Sequence, residues 1–253
     1  MRHAWLVLAA PLLMAQSQPV LVPDVSERSI EIAYSFTGAE LLLFGAILYP
    51  DTPAADAAGQ KADIVVVVKG PTQSVLVREK EKLAGIWVNA GSMRYRSAPS
   101  FYAVASSRPI QQLVDDRTRA IYELGVDSLQ LSPASGASPD VQARFDAGLV
   151  DLRSGSGLYY EAPGAVEITG GVLYRARLQI PARVPVGKFT AETFLIRNGR
   201  VLAAAVRPIE IRKSGFERFV AYSAERHSLV YGMAAVLLSV LLGWGAGALW
   251  RRF

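Results

Sequence analysis

From Val20 to about Val104 the chain alternates apolar and polar positions or gathers short apolar runs, and each run is closed by turn residues. Ser29 to Phe36 alternates, Leu41 to Leu48 reads as a buried run, and Ile64 to Val68 is rich in β-branched residues. Such side chains fit a pleated sheet better than a helix. Val75 to Val77, Ile86 to Val88 and Phe101 to Val104 add further short strands, while Pro50 to Gly59 and Gly70-Pro71 punctuate them. Short strands between frequent turns predict an antiparallel sandwich.

The period changes in the middle of the chain. Ile110, Leu113, Val114, Ala120, Ile121 and Leu124 recur near helical spacing, with Pro109 before them and Gly125 just after. Both boundary signals of one helix are present. A second helix is expected from Ser138, a capping residue, and Pro139 at its first position, with Val141, Phe145, Leu149 and Leu152 on one face. Leu131 to Ala137 links the two.

Strand patterns then return at Leu158 to Tyr160, Ala165 to Ile168, Val172 to Ile180, Phe189 to Ile196 and Val201 to Ile211. Arg197-Asn198-Gly199-Arg200 is the clearest local signal among them. Asn-Gly suits a type I′ turn, whose two central residues need positive φ, so the flanking strands are expected to pair as a hairpin.

Beyond Ser214-Gly215-Phe216-Glu217, an S-x-x-E capping pattern, the polar positions give out. Ser228 to Trp250 carries no charge and is followed by Arg251, Arg252 and Phe253. At ~1.5 Å per residue, roughly 20 apolar residues cross a ~30 Å hydrocarbon core. Tyr231 and Trp250 near the two ends, with Arg251 and Arg252 beyond, have the chemistry of interfacial anchors. The lipid bilayer is therefore the first expected partner. If the helix is continuous from Gly215, its first part stands above the membrane as a stalk.

The N-terminus holds a shorter apolar run, Ala4 to Met14, after Arg2 and His3 and before Ala15, Gln16 and Ser17. It is too short to span and reads as a secretory signal cleaved near Ser17 or Ala15, a retained anchor being the alternative. The expected organisation is a signal peptide (1–17), a β-rich half (18–107), a helical insertion (108–153), a second β-rich half (154–213), a juxtamembrane helix (214–227), a transmembrane helix (228–250) and a cytoplasmic tail (251–253). The fold class is mainly β with an α insertion: one or two immunoglobulin-like antiparallel β-sandwiches, a helical pair, and a C-terminal transmembrane helix. A translocated N-terminus and a stop-transfer helix place the bulk in the periplasm and the C-terminus in the cytoplasm, across the bacterial inner membrane.

Charge and composition narrow the function. Of 27 Lys and Arg against 22 Asp and Glu, the basic residues Arg2, Arg251 and Arg252 lie outside the mature outer domain. That domain is close to neutral, which gives no reason to expect nucleic acid as a partner. The absence of cysteine excludes disulfides and thiolate chemistry, so the domain rests on its own core. His3 and His227 are the only histidines. No Ser-His-Asp or Cys-His set can assemble, and the usual zinc ligands are missing. No phosphate-binding glycine loop or calcium loop is present, and no cofactor is implied. Asp115-Asp116 reads as a solvated helix face beside Arg117 and Arg119 rather than a paired-acid centre. No catalytic residue is assigned.

Two features point to binding. Arg94-Tyr95-Arg96, followed by Phe101-Tyr102, mixes cations with aromatics and could meet an anion, a glycan or a partner; a strand with outward arginines beside packed tyrosines is the plainer reading. Within the span, Ala235, Ser239, Gly243 and Gly247 recur every fourth residue. Such a seam lets another helix approach closely, in self-association or with a second membrane protein.

The order of features resembles a transmembrane-protein family of alphaproteobacteria whose members have no assigned activity. The likeness rests on Gly85-Ile86-Trp87-Val88-Asn89, Pro99-Ser100-Phe101-Tyr102-Ala103-Val104, Pro185-Val186-Gly187-Lys188-Phe189 leading to Arg197-Asn198-Gly199-Arg200, Ser214-Gly215-Phe216-Glu217, Tyr231-Gly232 and Gly243-Trp244. The resemblance covers nearly the whole mature chain. It implies a cell-envelope protein with one C-terminal span, and genomic company with sulfite-exporter-like permeases. The expected function is a non-enzymatic interaction or assembly subunit for another membrane protein such as a transporter, the alternative being a periplasmic anion- or glycan-binding subunit.

Overall fold

The computed structural model describes residues 19–26, 29–32, 38–50, 61–134, 136–213 and 216–250, without the side chains of 29–32, 213, 216–219, 221 and 248–250. The signal segment, most of the Pro50 to Gly59 loop, Ser214-Gly215 of the capping pattern, the Trp250 side chain, Arg251 and Arg252 therefore lie outside the described residues.

The chain is mainly β, and among the described residues its strands fall into three sheets. The first has four strands in the order β1 (Val20–Val25), β3 (Ala39–Leu48), β11 (Leu173–Ile180) and β10 (Val166–Thr169). The second has six: β2 (Ser29–Ile32), β13 (Arg200–Lys213), β12 (Gly187–Arg197), β4 (Asp63–Lys69), β7 (Tyr102–Ser106) and β9 (Tyr159–Pro163). Pairing is antiparallel except for β13 with β2 and β7 with β9. Both sheets mix strands from the two β-rich halves. The halves thus share one body rather than forming two.

Alternation explains how that body holds together. On β11, Tyr174, Ala176, Leu178 and Ile180 are buried while the residues between them are exposed, so one face of the first sheet turns inward. Central β4 is different: Ile64 to Val68 are all buried, as a strand covered on both faces requires. Side chains from both sheets, among them Leu41, Ile47, Val66, Leu178, Phe189 and Leu195, form one continuous apolar core.

The Asn198-Gly199 turn has φ of 51° and 76°, and β12 and β13 pair across it as the dipeptide predicts. Other expectations need correction. The single helix anticipated over Ile110 to Leu124 is a 3₁₀ turn, Ile110–Gln112, followed by a separate helix α1 (Asp116–Tyr122). Asp115 breaks the run, because in its extended conformation its carboxylate accepts a 2.8 Å bond from Thr118 N–H and caps a new helix. Ile110, Leu113, Val114 and Leu124 reach the core, whereas Ile121 is exposed. Helix α2 (Pro139–Gly155) begins with Pro139 as expected, but Ser138 makes no capping bond through its side chain. Phe145 and Leu149 are buried, and Leu152 on the same expected face is exposed.

The largest departure is the third sheet. Where short strands were expected, β5 (Thr72–Leu83) and β6 (Ile86–Pro99) form one long hairpin, joined at its base by β8 (Ser132–Pro133). Twelve residues at about 3.4 Å each make an arm of roughly 40 Å. Its base packs on α2 through a second, smaller core of Val77, Met93, Tyr95, Ala98, Phe145 and Leu149.

At the C-terminal end, β13 leads after two residues into α3 (Phe216–Arg226) and α4 (Ser228–Trp250). His227 N–H donates to Ser223 O at 3.0 Å and Tyr231 N–H to His227 O at 2.9 Å, so the i to i−4 ladder continues across the junction.

Candidate functional site

On α4 every described large apolar side chain lies in the open, with Leu229 85% exposed and Trp244 71% exposed. In water this would be untenable, since each such side chain gains roughly 1.5–3 kcal/mol by leaving it. Ser228–Gly247 is the one stretch among the described residues long and apolar enough to cross a membrane, and none of it is buried by the rest of the chain. Tyr231 and Trp250 are 19 residues apart along this helix. At 1.5 Å per residue that is about 28 Å, the thickness of a hydrocarbon core.

Ala235, Ser239, Gly243 and Gly247 all lie on this bare helix. The Ser239 hydroxyl donates to Ala235 O at 2.8 Å, so its polar group is satisfied within the helix and asks nothing of lipid. A Cβ added at Gly243 would meet no atom within 4 Å. The four small residues leave a stripe of the helix without bulk.

The structure divides Arg94-Tyr95-Arg96. Alternation along β6 sends Tyr95 into the small core, fully buried, and its hydroxyl donates to Asp146 Oδ1 at 2.6 Å. Burial, reinforced by the Asp146 carboxylate, pushes the Tyr95 phenol well above its ordinary range. Arg94 and Arg96 stand exposed on the other face, where Arg96 donates to Pro133 O at 3.3 Å. Phe101 and Tyr102 are buried in the main core. The cations and the aromatics do not share a surface.

One cluster had no local signal in the sequence. Lys69 at the end of β4 lies 2.7 Å from Glu123 and 3.3 Å from Glu192, in a cleft of about 300 Å³ that also takes in Tyr122 and Phe194. Burial works against the lysine's charge, but the two carboxylates outweigh it and raise its pKa. The lysine is thus held between two carboxylates inside the cleft. Beneath it the Tyr102 hydroxyl donates to Glu123 O and accepts from Gly125 N–H at 3.1 Å. The cluster bolts the end of α1 to β4 and β12. Only topology brings residues 69, 123 and 192 together, so no motif could have announced them. With one cation against two carboxylates, the cleft does not suit an anion.

Asp115 serves as a helix cap, and Asp116 pairs with Arg119 at 3.0 Å. Among the described residues no three His, Cys, Asp or Glu side chains are grouped as metal ligands would be.

The family profile described as "Putative transmembrane protein (Alph_Pro_TM)" matches residues 20–252. No curated protein matches the chain. A solved structure titled BspA_C_mut is 8% identical, with a TM-score of 0.26 over 78% of this chain and 52% of that one. This chain therefore spans about half the length of that protein.

Proposed function

This chain is a member of the Alph_Pro_TM transmembrane family, and on that premise we propose that it is a non-enzymatic interaction or assembly subunit for another inner-membrane protein. In this reading the β body is an immunoglobulin-like sandwich held in the periplasm on a helical stalk, after removal of an N-terminal signal. The observation that carries the reading is the seam Ala235, Ser239, Gly243 and Gly247 on a helix whose described large apolar side chains all stand open. Small residues at that spacing let two backbones approach closely, and packing is what associates helices where lipid removes the hydrophobic drive. The inward-turned Tyr95, the neutralised Lys69 and the capping role of Asp115 leave the noted polar groups engaged in structure.

The test is association in the membrane. A membrane two-hybrid assay of the full chain should report contact, with itself or a second protein, that is lost in Gly243→Ile/Gly247→Ile. Purification in mild detergent should likewise recover a stoichiometric membrane partner. An unchanged two-hybrid signal in the double variant, or repeated recovery of the folded protein alone, would sink the proposal.

A further inference from the structure

The tip of the β5–β6 arm is apolar and open. Leu83, Ile86 and Trp87 are 66%, 69% and 65% exposed, and a Cβ added at Gly85 would meet nothing within 4 Å. The arm's base is covered, since Glu79 pairs with Arg144 at 3.1 Å and a Cβ at Gly91 would lie 3.3 Å from the Phe145 ring. Beyond those two residues every residue of the hairpin is exposed.

Register shows which way the arm leaves. In the β4–β7 ladder Lys69 pairs with Tyr102, and in the arm Thr72 pairs with Pro99. Between them Gly70 N–H donates to Phe101 O and Ser100 N–H to Pro71 O, at 2.8 and 2.9 Å. One antiparallel ribbon therefore runs unbroken out of the body and into the arm. Both β4 and β13 are antiparallel to β12, so they run the same way. The end at which β4 becomes the arm is the end at which β13 departs for the membrane: Gly187 pairs with Ile211, and a Cβ on Gly187 would be 3.1 Å from Pro71 Cγ.

The tip has the chemistry of a bilayer interface. Leu83 faces Ile86 on one side of the ribbon, and Lys82 faces Trp87 on the other, with Lys80 one step behind. Leu83 and Ile86 lead, Trp87 and Lys82 lie level behind them, and Glu81 and Lys80 follow, so apolar tips with an indole and an ammonium group behind match acyl chains and the interfacial zone in that order. Length agrees. Residues 216–230, above the Tyr231 level, raise the body by about 22 Å, well short of the arm's roughly 40 Å, so an inclined arm meets the membrane surface. We infer that the β5–β6 tip inserts Leu83, Ile86 and Trp87 into the leaflet from which α4 emerges, and is a second anchor for the body.

The cysteine-free chain makes a direct test available. Full-length protein carrying an environment-sensitive fluorophore at Ile86→Cys is reconstituted into phosphatidylcholine/phosphatidylglycerol vesicles, beside protein labelled at Arg200→Cys on the far turn. The label at position 86 should emit to the blue of that at 200 and be quenched several-fold more strongly by acyl-chain nitroxide lipids. Adding Trp87→Asp should reverse both effects. Quenching by aqueous iodide without acyl-chain quenching would place the tip in water and overturn the inference. Blue emission reached by neither quencher would mean burial in protein, and overturns it equally. If Ile86→Cys loses its β circular-dichroism signal, Leu83→Cys carries the same test from the facing position.

Discussion

The Tyr95 hydroxyl donates a 2.6 Å hydrogen bond to Asp146, a contact that ties strand β6 to helix α2 across 51 positions of sequence. With Phe145 and Leu149 it fixes the base of the arm. Tyr95→Phe keeps the ring and removes the bond, which in contact with a charged acceptor is worth about 1.5–3 kcal/mol. Chemical denaturation should show a loss of that order, and Asp146→Asn added to Tyr95→Phe should cost little more. Full additivity of the two changes would mean that the pair is not coupled.

The turn at the arm's tip carries local strain. Ala84 has φ of 49° and Gly85 of 86°, positive values that an alanine Cβ opposes by roughly 1–2 kcal/mol. Ala84→Gly or Ala84→Asn should therefore stabilise the hairpin by about 1 kcal/mol or less, glycine giving back part of its gain as unfolded-state entropy. Slower amide exchange at Leu83 and Ile86 is the local readout; faster exchange would show the turn to be unstrained.

Gly70 sits where the ribbon leaves the body. A Cβ there would come within 2.6 Å of Ser100 Oγ, 2.9 Å of Phe189 Cε1 and 3.0 Å of Phe101 N. Gly70→Ala should destabilise by about 1–3 kcal/mol, as overpacking does. Gly136→Ala, where nothing lies within 4 Å, is the matched control and should leave the melting temperature nearly unchanged.

Stability should fall at both pH extremes, for different reasons. Asp63 is partly buried, which alone would raise its pKa, yet the hydrogen bonds from Arg108 and Ser107 prevail and lower it. A lowered folded pKa means stability that is complete above the unfolded value of about 3.9 and lost as pH drops through the folded one. Asp63→Asn should be less stable than the parent at neutral pH, and the gap should close in acid. Burial pushes Tyr159 and Tyr160 up to about 12. A raised folded pKa means stability that is complete below about 10 and lost as pH climbs through the folded value. Tyr160→Phe should flatten the alkaline arm of the melting-temperature profile.

Much of the β body was legible because its strands bury one face and repeat every second residue, as β11 does. The Asn198-Gly199 hairpin was legible for a different reason: the dipeptide's own backbone preference fixes the turn. The arm was not. Arg78, Lys80, Glu81 and Lys82 face solvent on both sides of the ribbon and Glu79 is charged too, so no apolar alternation marks them, and Ala84 is a poor turn residue. The plainer reading of Arg94-Tyr95-Arg96, outward arginines beside a packed tyrosine, holds because strand alternation turns Tyr95 inward and its neighbours out. The Lys69 cluster depends on three segments meeting, and the split between the 3₁₀ turn and α1 turned on a single aspartate whose capping role outweighed the helical spacing around it. The span was the plainest feature, since length and lack of charge suffice to define it.

Strand β13 lies between β12 and β2 and its C-terminal end is the one followed in the chain by the candidate span, while its turn to β12 is at the opposite end of the sheet. A tug on the anchor would thus load the β12–β13 rungs in shear, all at once, instead of peeling them one by one. Traction on the span would then meet the β12–β13 ladder along its strands rather than across them.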